Sequence, residues 1–99
     1  MEDIVYYTLL FDTYGDLLTE KQQTYFKEYY FLNLSLAEIA EKYGVSRNAI
    51  HNLLKDTKNI LGHYEEVLHL VEKQEKLREI AETIQDENIK KQLEDMIEK

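Results

Sequence analysis

Residues 35–55, SLAEIAEKYGVSRNAIHNLLK, constrain the fold more than any other stretch of this chain. Ser35 with Glu38 three positions on is the pattern of a capping box, in which each side chain satisfies the backbone N–H of the other and a helix begins. Leu34 before the cap and Ile39 inside the helix are spaced as a hydrophobic staple. The helix then reads to Tyr43 and stops at Gly44, which takes a left-handed conformation without a Cβ penalty. Ser46 is placed to cap a second helix, with Val45 and Ile50 as its staple. Two short helices joined by a three- or four-residue turn containing Gly are the signature of a helix-turn-helix. Its seam is expected from Ile39, Tyr43, Val45, Ile50 and Leu53, with Ala40 small where the helices cross. The same spacing suits a helical hairpin with no nucleic-acid role, because a fold does not fix a function.

The rest of the chain is helical by the same tests. Pro is absent, Gly occurs only at 15, 44 and 62, and Glu, Lys, Leu and Ile dominate, a composition that favours helices. Apolar positions Ile4, Tyr7, Leu10, Phe11 and Tyr14 predict a first helix over 4–14, ended by Gly15. Thr19 to Gln22 is a second capping box, opening a helix from about 20 to 31 with Tyr25, Phe26, Tyr29 and Tyr30 on one broad face. After Ser46 an apolar stripe runs from Ile50 through Leu61 and Tyr64 to Val71 and resumes over Leu77, Ile80, Ala81 and Ile84. A single helix to residue 85 would span about 60 Å. It therefore breaks near Gly62 or Gln74, or projects and needs a partner. Asp86 is a candidate cap for a last short helix carrying Ile89, Leu93, Met96 and Ile97 on one face. The expected architecture is all-α. A helix-turn-helix domain of the sigma region 4 type, over 1–70, precedes a tail over 71–99 with a long C-terminal helix and a short terminal one, serving packing or dimerisation. The stripe is more apolar surface than a monomer of this size usually exposes, so a homodimer is expected.

Charge is unevenly distributed. The net charge is −8, which argues against binding driven by overall electrostatics. Residues 1–18 carry four acids and no base, residues 19–61 six bases and five acids, and residues 62–99 six bases and eleven acids. The helix-turn-helix is thus the least acidic part of the molecule. Cys is absent, which excludes disulfides, thiolate zinc sites and a Cys nucleophile and fits the cytoplasm. The acidic start has no signal-peptide pattern, and no apolar run approaches the roughly 18 residues of a membrane span.

Catalysis is not expected. Gly-rich phosphate loops are missing, and Ser35 and Ser46 are accounted for as caps. Of His51, His63 and His69, the last closes the chain's one Glu-x-x-His pair, Glu66-Val67-Leu68-His69. A di-iron bundle needs two Glu-x-x-His pairs and two further Glu, so no metal or other cofactor is expected. Eight Tyr and three Phe crowd mainly into the first half. They could form a stacking platform for single-stranded RNA, but helical spacing favours an aromatic core. The positions that face away from the seam are Arg47, Asn48, His51, Asn52 and Lys55. Arg pairs with guanine edges and Asn with adenine edges in a major groove, while Lys42, Lys55 and Lys58 could contact phosphates. A solvated polar face is the alternative, and Glu38, Glu41 and Asp56 would repel a backbone.

The run LTEKQQTYFKEYYFLNLSLAEIAEKYGVSRNAIHNLLKDTKNIL, residues 18–61, resembles the YlxM family of small bacterial helix-turn-helix proteins. It is similar, more distantly, to the DNA-binding region 4 of sigma factors. The likeness covers about residues 4–70 and is carried by Leu-Thr before the second helix, Ser-Leu-Ala-Glu-Ile-Ala, and Gly-Val-Ser-Arg. It implies an all-helical accessory or regulatory protein of the signal recognition particle pathway, acting on the particle's protein or RNA. It also implies a nucleic-acid contact through Arg47, Asn48, His51 and Asn52. A DNA-binding transcriptional regulator and a protein-interaction scaffold are the alternatives. Sigma-type readers follow Ser-Arg with several bases, whereas here only Lys55 and Lys58 follow.

Overall fold

A computed structural model describes residues 2–97, with backbone alone for Glu2 and Asp3; residues 98–99 of the expected tail lie outside the described residues. The chain is all-α: α1 Glu2–Tyr14, a 3-10 turn Gly15–Leu17, α2 Glu20–Tyr30, α3 Leu36–Tyr43, α4 Arg47–Leu68, α5 Leu70–Glu82 and α6 Glu87–Ile97. These helices fall into two compact units, one ending at Val67 and one beginning at Leu68.

In the first unit the caps form as their spacing requires. The Thr19 and Gln22 side chains satisfy each other's backbone N–H at 3.1 and 3.0 Å. Ser35 and Glu38 do the same at 3.0 and 2.8 Å, and the Ser46 hydroxyl accepts the Ala49 N–H at 3.0 Å. Gly44 closes α3 at φ 68°, ψ 34°, with Val45 N–H donating to the Ala40 carbonyl at 3.0 Å. That bond spans the last turn as in a Schellman cap. The helix-turn-helix core is a cluster of Tyr25, Ile39, Ala40, Ile50 and Leu54, with Tyr29, Leu34, Leu36 and Leu53 packed around it. Burial of Ile39 and Ile50 contributes roughly 1.5–3 kcal/mol each. Val45 stays 39 % exposed and takes no place in the buried seam. Tyr43 sits at the rim, its ring against Tyr25 at 4.8 Å.

The aromatic residues mostly build the core. Phe11 stacks on the fully buried Phe26 at 4.5 Å, and Tyr14 packs near Tyr64 while donating its hydroxyl to Glu65 at 2.6 Å, which ties α1 to α4. Buried Thr57 donates its hydroxyl to the Leu53 carbonyl at 2.8 Å and so satisfies that donor inside the core.

Gly62 does not interrupt α4, and Gln74 lies inside α5. The break is at His69, held left-handed at φ 57°, ψ 28°. A helical Gly costs only about 1 kcal/mol relative to Ala, which the burial of neighbouring Leu61 outweighs; Gln is a good helix former. His is among the residues that enter the left-handed region more readily than most.

The second unit is sparser. Asp86 caps α6 through the N–H groups of Asn88 and Ile89, at 2.9 and 3.3 Å. Val71, Ala81 and Ile97 are its buried apolar residues, whereas Leu70, Leu77, Ile80, Ile89 and Met96 are 38 to 73 % exposed.

Candidate nucleic-acid interface

The exposed face of α4 is carried on a rigid foundation. Beneath α3, the carboxylate of Glu28 on α2 is buried and accepts hydrogen bonds from the Tyr43 hydroxyl and from Lys42 Nζ, the latter at 3.0 Å. Burial pushes the Glu28 carboxyl up, but the hydrogen bonds from Tyr43 and Lys42 and the charge of Lys42 outweigh it and hold it below the usual carboxylate range. The same hydrogen bonding to Glu28 raises Lys42 and Tyr43. The other carboxylate oxygen, Oε1, is buried without a hydrogen-bond partner. This arrangement clamps the last turn of α3, and with it the Gly44 turn, onto α2. Lys42, a candidate phosphate contact by sequence, is thus also an ion-pair partner of Glu28, while its side chain remains 54 % exposed.

From that foundation α4 leaves the turn with Arg47, Asn48, His51, Asn52 and Lys55 all exposed. At 100° per residue the five fall within an arc of about 140°. The buried residues Ile50, Leu54, Thr57 and Leu61 occupy a separate arc of about 60°. The helix is therefore amphipathic in the sense a groove-reading helix needs: one side anchored in the core, the other presenting donors and acceptors. None of the five side chains makes a hydrogen bond or ion pair with another described residue, and all five are exposed, so their polar groups face solvent. Of the acids that would oppose a phosphate backbone, Glu38 turns its carboxylate to the Ser35 N–H, whereas Glu41 and Asp56 remain exposed.

The surface beside this face is concave. Arg47, Asn48 and His51 border one depression with Leu36. His51 and Lys55 border the next with Tyr29, Tyr30 and Lys58. The two tyrosines were legible in the sequence as members of an aromatic face, but the approach of α2 to α4 that brings them to Lys55 and Lys58 was not. Residues 25 to 29 positions apart carry no local pattern that links them.

Among the described residues no group of three or more His, Asp or Glu could hold a metal, and no helix is long and apolar enough to cross a membrane. His69 meets Glu72 at 3.3 Å.

Comparison with known proteins matches all of residues 1–99 to a family described as "Putative helix-turn-helix protein, YlxM / p13 like", UPF0122. The chain is similar to the UPF0122 protein of Mycoplasma pneumoniae, with 43 % identity over 84 residues, 85 % of this chain and 82 % of the relative. It is similar to the one from Clostridium acetobutylicum, with 44 % identity over 86 residues, 87 % of this chain and 74 % of the relative. The Symbiobacterium thermophilum protein is 47 % identical over 83 residues, 83 % of this chain and 78 % of the relative.

Proposed function

The chain belongs to the UPF0122 family of helix-turn-helix proteins, and we propose that it is a non-enzymatic, cytoplasmic regulatory protein that contacts nucleic acid through Arg47, Asn48, His51, Asn52 and Lys55. The observation that supports this most is the two-sided character of α4. Its core side is locked into the cluster of Ile39, Ile50 and Leu54, while its five polar side chains are exposed and uncommitted to protein partners. Arg and Asn on such a helix can reach base edges, and Lys55 can reach a phosphate. The pathway is the one the family resemblance implies, that of the signal recognition particle, so the particle's RNA is tested beside duplex DNA. Arg47→Ala with Asn52→Ala should weaken binding to the preferred probe by about tenfold or more at low salt, and wild-type affinity should fall steeply as salt rises. Equal binding by wild type and variant would place the contact elsewhere; no binding by either would leave a protein-interaction scaffold.

The chain acts as a homodimer in this proposal, through the end of α4 and the tail. The exposure of Val67, Leu68, Leu70, Leu77 and Ile80 supports it, because a short helical pair with so small a core gains stability from a second copy. Leu77→Asp with Ile80→Asp should halve the mass found by light scattering at micromolar concentration. A monomeric wild type would end the dimer reading.

A further inference from the structure

We propose that the surface walled by Tyr29, Tyr30, His51, Lys55 and Lys58 takes an unpaired nucleotide lying next to the helical part of the ligand, its base against the tyrosines and its phosphates against the lysines. This rests on the reading of α4 as a nucleic-acid contact. The two rings form a corner, with centroids 4.9 Å apart and planes at 84°, so an inserted base meets one ring by its face and the other by its edge. Both are held in place from behind. Tyr30 packs on buried Phe26 at 4.5 Å, and Tyr29 packs against the helix-turn-helix cluster. Rings already fixed lose little freedom on binding. Tyr14 and Tyr43 commit their hydroxyls to Glu65 and Glu28, whereas the hydroxyls of Tyr29 and Tyr30 donate to no other described residue and the two side chains stand half-buried at the groove. Lys55 and Lys58, one helical turn apart, give the same wall a positive rim. Lys58 also lies 5.4 Å over the Tyr7 ring. Glu38 borders the neighbouring depression that shares both tyrosines and Lys58, and its carboxylate is engaged by Ser35. His51 borders both this surface and the depression beside Arg47 and Asn48, so a ligand on α4 continues directly into the tyrosine corner. A base inside a duplex is stacked on both faces and has none to offer a ring; an unpaired one does. The favoured ligand is therefore a helix with an unpaired nucleotide at its edge.

The test uses the full chain and four probes: a blunt 16-base-pair duplex and the same duplex with a three-nucleotide single-stranded extension, each as DNA and as RNA. Wild type should bind an extended probe about fivefold or more tightly than its blunt counterpart, the gain expected of one stacked base. Tyr29→Leu with Tyr30→Leu keeps apolar bulk but removes the rings; it should abolish that advantage while leaving blunt-duplex affinity within about twofold. If the double variant melts early, ring-proton shifts of the wild-type tyrosines decide: they should move upfield with the extended probe and not with the blunt one. An extension that confers no advantage, or tyrosine signals that do not move, overturns the proposal while binding to the blunt duplex leaves the α4 reading intact. Failure to bind any probe overturns both. An advantage confined to RNA or to DNA identifies the source of the unpaired nucleotide.

Discussion

The two units of this chain are built from the same kind of helix and differ in what those helices bury. In the unit up to Val67, Leu10, Tyr14, Phe26, Ile39, Ile50 and Leu61 are almost wholly removed from water, and α3 and α4 cannot move without disturbing them. In the unit from Leu68 onward only Val71, Ala81 and Ile97 among the described apolar residues are buried, and Met96 is 73 % exposed. The contrast teaches where specific chemistry can sit. A polar side chain acts as a reader only when its backbone is held to a fraction of an ångström by packing underneath, a condition α4 meets through Ile50, Leu54 and Leu61. Helices with few buried residues supply surface and charge, and here that charge is acidic.

The largest effect that could break this contrast is a core deletion. Ile50→Ala should cost about 2–5 kcal/mol in chemical denaturation, whereas Leu77→Ala, at a side chain 38 % exposed within one chain, should cost about 1 kcal/mol or less when measured dilute enough for the dimer to have dissociated. Equal losses would mean the second unit is packed as tightly as the first. Next in size is the turn. Gly44 has positive φ and open space around the position of a Cβ, so Gly44→Val should lose about 1–2 kcal/mol from backbone strain alone. An unchanged melting temperature would remove the turn from the reasons α3 and α4 hold their angle. Gly62 behaves oppositely. It is helical, with open space where a methyl group would stand, so Gly62→Ala should raise stability by about 1 kcal/mol. A loss there would show that α4 is packed more closely along its length than its exposure implies.

The smallest effect is confined to acid. The Glu28 carboxyl is held below its ordinary value of 4.5 in the folded protein. Its contribution is therefore complete above that value and disappears as pH falls through the lower folded one. Glu28→Gln should be less stable than wild type at neutral pH, with the difference closing as the solution is acidified. Because Lys42 is 54 % exposed and screened by water, the amplitude is modest. A difference that stays constant between neutral and strongly acid pH would assign Glu28 a packing role without a charge.

The sequence by itself determined the helices of the first unit, the capping boxes at Thr19 and Ser35, the caps at Ser46 and Asp86, the Gly44 turn and the polar set on α4. Each is written in residues no more than a turn or two apart, where hydrogen-bond geometry and helical period act directly. Tertiary structure decided that the long stripe breaks at His69, since His enters the left-handed region only occasionally and neither a cap nor a breaker beside it marks the place in the sequence. It decided that Val45 stays out of the seam and that Lys42 belongs to Glu28, 14 positions away. It also divided the tyrosines, sending Tyr14 to Glu65 across 51 positions and leaving Tyr29 and Tyr30 open beside Lys55 and Lys58. Such partners are chosen by which helices pack together, and that choice is made by the whole buried core rather than by any short run of residues.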